Sequence, residues 1–187
     1  MREATAWIAR ARSILADERN GLSEAAIKAS RGGFAGGALW MQQAMSVVRS
    51  APMGCSDDCP TSASYLQLGL TKYALAISGA ALVAVVCWRT QPCLLPLAVV
   101  AFYLIEVRMV FAFPVAIDSS ASPFRDSHEL LRSTMPWLTA TKNVMLLAAE
   151  MLFGGLIGRG FVRSWCVGCL AVVVWYEEAR ATRKVVV

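Results

Sequence analysis

Long apolar blocks are the feature of this sequence that most limits what it can fold into. Blocks of about 20 apolar residues recur along the 187-residue chain and are separated only by short polar stretches. The hydrophobic fraction is 57%, and the charged fraction is 17% where soluble domains have roughly 25%. A soluble domain of this length cannot bury several such blocks, and this composition also excludes disorder, a collagen-like fibre and a disulfide-rich mini-protein. The sequence therefore predicts an all-α, polytopic membrane protein.

Four stretches are predicted to cross the membrane as a four-helix bundle. They cover residues 65–88, 94–117, 136–158 and 161–176. Residues 65–187 then form the transmembrane domain, and residues 1–64 form an amphipathic helical region that precedes it. The fourth span has only 16 residues, so we expect it to thin the bilayer or to recruit flanking residues. Only Arg159 and Gly160 link it to the third span, which predicts a tight hairpin.

The distribution of basic residues predicts the orientation. The net charge of +5 is scattered along the chain, which does not indicate a nucleic-acid partner. With the N-terminus inside, the inner flanks hold twelve Lys and Arg residues (seven in residues 1–64, two between spans two and three, three in the tail), and the outer flanks hold three. We therefore expect a cell-membrane protein with both termini in the cytoplasm. No apolar run of signal-peptide length lies near the N-terminus, so the first span is expected to direct insertion.

The N-terminal region is predicted to contain short helices. Five residues recur on one helical stripe, namely Trp7, Ile8, Ala11, Ile14 and Leu15. This stripe either lies on a lipid surface or packs on the protein's own cytoplasmic loops or on a partner. Ser23 is predicted to cap a second helix that ends near Arg31. The glycine-rich residues 32–37 lack the Gly-Lys-Ser/Thr ending of a phosphate loop and are interpreted as a flexible joint before an interfacial helix over residues 38–48.

Charged residues inside the predicted spans are the main candidates for a functional site, because each is costly in hydrocarbon. With one neighbouring amide, they are Lys72, Glu106, Arg108, Lys142, Asn143 and Glu150. Depths estimated from a rise of ~1.5 Å per residue predict that Arg108 pairs with Glu150 or Lys142 with Glu106. Such pairs either only hold helices together or line a partly hydrated pocket open to the cytoplasm. That pocket would bind an anionic group, a lipid headgroup or a proton.

Six cysteines are the second set of candidates. Two of them, Cys55 and Cys59, precede span one, whereas Cys87, Cys93, Cys166 and Cys169 lie near the outer face in the predicted topology. Cys166 and Cys169 form a Cys-x-x-Cys near the start of a helix, where the positive helix terminus favours a thiolate. These thiols are either small fillers or a structural disulfide, or they are redox-active.

The arrangement of four spans and these four cysteines resembles the membrane thiol oxidoreductases, which comprise the bacterial disulfide-generating quinone reductases and the vitamin K epoxide reductases. That resemblance implies a quinone-linked thiol-disulfide enzyme using Cys166 and Cys169 with Cys87 and Cys93. No metal site is predicted, since His128, the only histidine, has no histidine or cysteine neighbour. We expect His128 to be a solvated residue of a short surface helix near residues 126–132.

Small residues predict close helix contacts. Residues 154–158 contain a Gly-x-x-x-Gly, and Ala74/Ser78 and Ala76/Ala80 repeat at four-residue spacing in span one. These faces pack the bundle itself or join it to a protein partner or a second copy. No nucleophile–base set or nucleotide motif identifies catalytic residues. The leading prediction is a transport-type or non-catalytic membrane component that binds an anionic group or partner from the cytoplasmic side, and the alternative is the thiol oxidoreductase.

Overall fold

The computed structural model describes residues 2–50, 62–118 and 120–186, and these residues form helices and no strand. The α-helices are α1 (Arg2–Ala16), α2 (Leu22–Ser30), α3 (Gly33–Arg49), α4 (Ser62–Thr90), α5 (Pro96–Arg108), α6 (Ala112–Ile117), α7 (Pro123–Thr134), α8 (Trp137–Gly154) and α9 (Phe161–Val186). Short 3₁₀ turns follow α1 and α4, and a π-helical turn, Gly155–Arg159, continues α8. The expected all-α architecture is confirmed for the described residues.

Three segments of this structure are long and apolar enough to cross a membrane. They are Ser64–Thr90, Pro92–Ile117 and Trp137–Ile157, and they coincide with the first three predicted spans. The fourth predicted span is not among them. Its residues belong to α9, which continues past residue 176 to Val186 as one helix.

Helix α9 is apolar because it occupies the centre of the bundle. Helices α1, α3, α7 and α8 all pack on it. The run from Val173 to Tyr176 is completely buried, and Trp175 is only 1% exposed. In this part of the helix, protein side chains therefore cover hydrophobic residues that the sequence pattern assigned to lipid.

The second predicted span is not one continuous helix. Helix α5 ends at Arg108, and α6 begins at Ala112. Pro114 explains the break, since a proline cannot donate a backbone hydrogen bond and its ring crowds the carbonyl four residues earlier. Ser127 of α7 replaces the lost bonds: its Oγ accepts from the Phe111 backbone N–H at 3.1 Å and donates to the Arg108 carbonyl at 3.2 Å.

The apolar stripe of α1 packs on the protein itself, which decides between the alternatives left open by the sequence. The Trp7 ring stacks on Trp175 with 4.8 Å between centroids, and Trp7 Nε1 donates to Glu178 at 2.5 Å. Farther along α1, Arg12 reaches Glu150 of α8. One buried apolar core thus contains residues from both sides of the predicted division at residue 64.

The glycine-rich segment is part of a helix and not a flexible joint. Helix α3 begins at Gly33 instead of residue 38. A Cβ on Gly36 would overlap the carbonyl of Ala29, and Phe34 packs directly on Gly69 of α4 and stacks on Tyr73 at 5.4 Å. Gly36 and Gly69 are needed because helices approach closely here.

Three further local predictions can be compared with the structure. Ser23 lies inside α2 and does not cap it; the Asn20 side chain instead accepts from the Leu22 backbone N–H at 2.9 Å. The short helix predicted between spans two and three is present as α7. At the α8–α9 hairpin a Cβ on Gly154 would lie only 2.7 Å from Ser164 Oγ, so this glycine allows close packing within the chain, as predicted.

Candidate functional site

Lys72 and Glu106 form a buried ion pair between α4 and α5. Lys72 Nζ lies 2.7 Å from Glu106 Oε1, and the two side chains are only 7% and 14% exposed. The ammonium also lies over the rings of Tyr73 and Phe113, at 5.6 and 5.8 Å from their centroids. Glu106 Oε2 is buried and has no hydrogen-bond partner among the described residues. The pair therefore neutralises both charges but leaves one carboxylate oxygen able to accept a further hydrogen bond.

Both charge pairs predicted from helix depth are wrong. Glu106 pairs with Lys72 and not with Lys142. Glu150 pairs with Arg12, whose Nη2 lies 2.6 Å from Glu150 Oε1. The guanidinium of Arg108 lies over the Trp137 ring instead, 5.3 Å from its centroid. The depth estimate failed because it treated span two as a straight helix and left α1 out of the bundle.

The six predicted binding residues do not meet in one pocket. Lys142 is exposed on α8, and its neighbour Asn143 is completely buried. The Asn143 Nδ2 atom contacts Met135 Sδ at 3.9 Å, and its Oδ1 has no hydrogen-bond partner in the described part of the chain. The structure joins only Lys72 to Glu106, and it places Glu150 at a different junction.

A cleft that sequence reasoning did not identify lies between α7 and the start of α8. This α7–α8 cleft has a volume of about 260 Å³ and is lined by His128, Leu131, Arg132, Met135 and Trp137. The first turn of an α-helix carries unpaired amides and a partial positive charge, so the start of α8 favours an anion here. Neither Arg132 nor Arg108, which stacks on the Trp137 ring, has an ion-pair partner among the described residues. The cleft is electropositive.

His128 contributes to the same cleft. It was expected to be solvated, but it is half-buried, with its ring 6.4 Å from that of Trp137 in an edge-on contact. Its Nδ1 atom is buried and has no hydrogen-bond partner within the described ranges. A bound group could therefore complete the hydrogen bonding of this imidazole.

A second cluster missed by the sequence analysis surrounds Asp118, just after α6. Arg49 donates two hydrogen bonds of 2.9 Å to its carboxylate, and Arg180 and Tyr176 donate at 2.6 and 2.7 Å. Burial alone would raise the pKa of Asp118, but these hydrogen bonds and the charges of Arg49 and Arg180 outweigh it and lower that pKa. Glu177 accepts from Arg49 as well. The two arginines and the tyrosine described here all have acceptors, so the cluster connects α3 and α9 to the end of α6. Within the described residues it has no unpaired charge that could bind a ligand.

The four described cysteines are free thiols. Cys87 and Cys166 are buried, Cys169 is half-buried, and Cys93 is exposed in the turn after α4. Neither pair that the resemblance implies, Cys87 with Cys93 or Cys166 with Cys169, is bonded. Cys55 and Cys59 lie outside the described residues.

No protein family, curated protein or solved structure matches the chain. The class is therefore defined by the fold itself: a helical bundle in which three helical segments are able to cross a membrane.

Proposed function

We propose that this chain is an integral membrane component, transport-type or non-catalytic, that binds an anionic group in the α7–α8 cleft from the cytoplasmic side. The observation that carries the proposal is the set of unpaired positive groups around Trp137. Arg108 stacks on its ring, Arg132 lines the cleft, and the start of α8 adds its partial positive charge. Arginine suits this role because its planar fork binds carboxylate and phosphate oxygens in pairs.

The surface of the candidate spans supports a membrane location. Large apolar side chains on α4, α5 and α8 point away from the protein, among them Leu82, Trp88, Val99, Leu138 and Phe153, all more than half exposed. A soluble monomer rarely exposes an apolar surface that extends over three helices. Trp137 begins the third candidate span, and tryptophan is enriched at the membrane–water interface, where a lipid headgroup would meet the cleft.

Helix α9 would return the chain to the side of the membrane on which the N-terminus lies. The contacts of Gly154 with Ser164 and of Gly168 with Met151 show that α9 runs antiparallel to α8. We therefore keep α9 as a fourth pass that contacts lipid through its first turns, where Phe161 and Trp165 are exposed, and that is enclosed by α1, α3 and α7 in its second half, with both termini in the cytoplasm. The excess of basic residues at that side supports this orientation.

The remaining predicted binding residues have other roles in this proposal. The Lys72–Glu106 pair holds α4 to α5 as an intramembrane ion pair, and Glu150 with Arg12 holds α1 to α8. The thiol-oxidoreductase alternative stays a prediction, and none of the described thiol contacts favours it over anion binding.

Anion binding can be tested with detergent-purified protein, inorganic phosphate and dihexanoyl phosphatidate. Both ligands should raise the melting temperature in a saturable way, because a ligand that binds only the folded state stabilises it. Arg108→Gln or Arg132→Gln should weaken the affinity about tenfold, a loss of ~1.4 kcal/mol. The matched control is Arg125→Gln, which removes an arginine of the same helix α7 that is 79% exposed and already pairs with Glu129. Equal affinity in all three variants would contradict the proposed site.

A further inference from the structure

A second cleft lies where α1, α8 and the first turns of α9 meet. This α1–α9 cleft has a volume of about 350 Å³ and is lined by Arg12, Leu15, Ala16, Glu150, Arg163, Ser164 and Val167. Taking ~30 Å³ for each water-sized group, it has room for roughly ten such groups. It is separate from the α7–α8 cleft and shares no lining residue with it.

Two polar side chains in this cleft have no partner among the described residues. Ser164 is only 2% exposed, and its Oγ has no hydrogen-bond partner among the described residues. A buried hydroxyl without a partner costs free energy, which a bound acceptor would recover. The neighbouring Arg163 is exposed and forms no ion pair or hydrogen bond within the described chain. One hydroxyl and one guanidinium thus converge at the start of a 26-residue helix, whose first turn also favours negative charge.

The other charges of the cleft limit what this anion can be. Arg12 is held by Glu150 at 2.6 Å, so Arg163 is left as the available cation among the described residues that line the cleft. The Glu150 carboxylate would repel a dianion such as a phosphate monoester more strongly than a monoanion. A carboxylate has two oxygens, which match the guanidinium fork and the hydroxyl.

Part of the cleft wall and the adjacent surface of α9 are apolar. Leu15 and Val167 line it, and Phe161 and Trp165 are exposed on the adjacent face of the same helical turns, at 61% and 52%. A ligand with a hydrocarbon chain could therefore place its head against Arg163 and its chain along these rings, in the lipid.

We propose that the α1–α9 cleft binds the carboxylate of a fatty-acid-type amphiphile, held by Arg163 and the Ser164 hydroxyl. The protein would then carry a lipid-ligand site distinct from the anion site proposed above.

The test is binding of radiolabelled palmitate to protein in phosphatidylcholine nanodiscs, followed by scintillation proximity. Binding should be saturable. Arg163→Gln should weaken it at least tenfold and Ser164→Ala about threefold. Arg10→Gln, a change to an exposed arginine of α1 beside Glu178, and Arg132→Gln, a change in the other cleft, should leave it unchanged. The Ser164→Ala variant removes only a buried hydroxyl, so it remains informative if Arg163→Gln does not fold.

Competitors identify the ligand chemistry. Methyl palmitate, hexadecyl phosphate and free acetate should each compete at least tenfold more weakly than palmitate. Competition by the methyl ester as strong as by palmitate would overturn the role of the charge. Stronger competition by hexadecyl phosphate would overturn the carboxylate assignment, and full displacement by acetate at palmitate's concentration would overturn the need for a chain. Unchanged palmitate affinity in both Arg163→Gln and Ser164→Ala would remove the site itself, whatever the outcome at the α7–α8 cleft.

Discussion

Two regions of this molecule differ in the exposure of similar apolar residues: one region exposes them and the other buries them. In the region of α4, α5 and α8, which we call the apolar-surfaced region, Trp88 is 66% exposed and Leu82 is 68% exposed. In the packed region, formed by α1, α3, α6, α7 and the second half of α9, Trp40 and Trp175 are buried. Hydropathy counts apolar residues but does not say whether lipid or protein covers them. Only the packing partners distinguish the two cases.

The two regions also differ in where their ion pairs lie. The apolar-surfaced region keeps Lys72 and Glu106 inside, paired with each other. The packed region places its ion pairs at its edge, as Arg49 and Arg180 do around Asp118. For these groups the contrast is the arrangement expected when one region faces hydrocarbon and the other faces water, and the exposed Lys142 lies near the start of α8.

The largest expected effect separates two tryptophans of the same helix. Trp175→Ala should cost about 4–5 kcal/mol of unfolding free energy, because it removes a buried ring that stacks on Trp7 and contacts Phe111 edge-on. Trp165→Ala, a change to a ring that is 52% exposed, should cost far less in detergent. Melting curves of the two variants measure the difference, and equal losses would contradict the assignment of only the second half of α9 to the packed region.

The next effect tests the interior charge pair. Glu106→Gln leaves the Lys72 ammonium buried without its counter-ion, so we expect a loss of about 3–4 kcal/mol. Replacing both residues with methionine removes both charges and should leave stability nearly unchanged or improved. Detergent melting of the single and double variants decides. If the double variant is less stable than the single one, the two charges are not a mutually compensating pair.

A smaller effect concerns the edge of the packed region. Asp118→Asn should cost about 2 kcal/mol, since the carboxylate accepts hydrogen bonds from two arginines and a tyrosine. The folded-state pKa of Asp118 is lowered from 3.8, so its stabilisation is present above that pH and is lost as the pH falls further. Melting temperatures measured from neutral to acidic pH should fall more steeply for the unmodified protein than for Asp118→Asn. Identical slopes would count against the cluster.

The smallest effect compares neighbouring glycines of α3. Gly36→Ala should destabilise by about 1 kcal/mol, because the new methyl collides with the Ala29 backbone. Gly37→Ala meets no atom within 4 Å and should stabilise by up to ~1 kcal/mol through its better helix propensity. Urea titration of both variants gives the sign. A stabilising Gly36→Ala would show that α2 and α3 do not approach as described.

Local patterns in the sequence predicted much of the secondary structure but little of the site. The apolar stripe of α1 and the helix around His128 could be identified because helical periodicity and turn residues are local signals. The partner of that stripe could not, because Trp7 and Trp175 are far apart in sequence. Pro114 was a visible signal for the break after Arg108, yet the uniform hydropathy of span two concealed it.

The long-range charge pairs could not be predicted from the sequence either, because their partners are far apart along the chain. Arg49 and Asp118 are 69 residues apart, and Arg12 and Glu150 are 138 apart. Depth along a helix limits which charges share a level, but it does not give the neighbours around the axis. The α7–α8 cleft adjoins a cation–π contact between Arg108 of α5 and Trp137 of α8, which no spacing in the sequence indicates.

The most direct test of the central claim, that the two regions face lipid and water respectively, is fluorescence quenching of reconstituted protein by brominated lipids and by iodide. Removing Trp88 as Trp88→Phe should abolish part of the brominated-lipid quenching, whereas Trp40→Phe should change neither kind of quenching. An added tryptophan at the exposed Ala9 of α1 should be quenched by iodide and not by brominated lipid. Quenching of Trp88 by iodide alone, with none from the brominated acyl chains, would contradict the account.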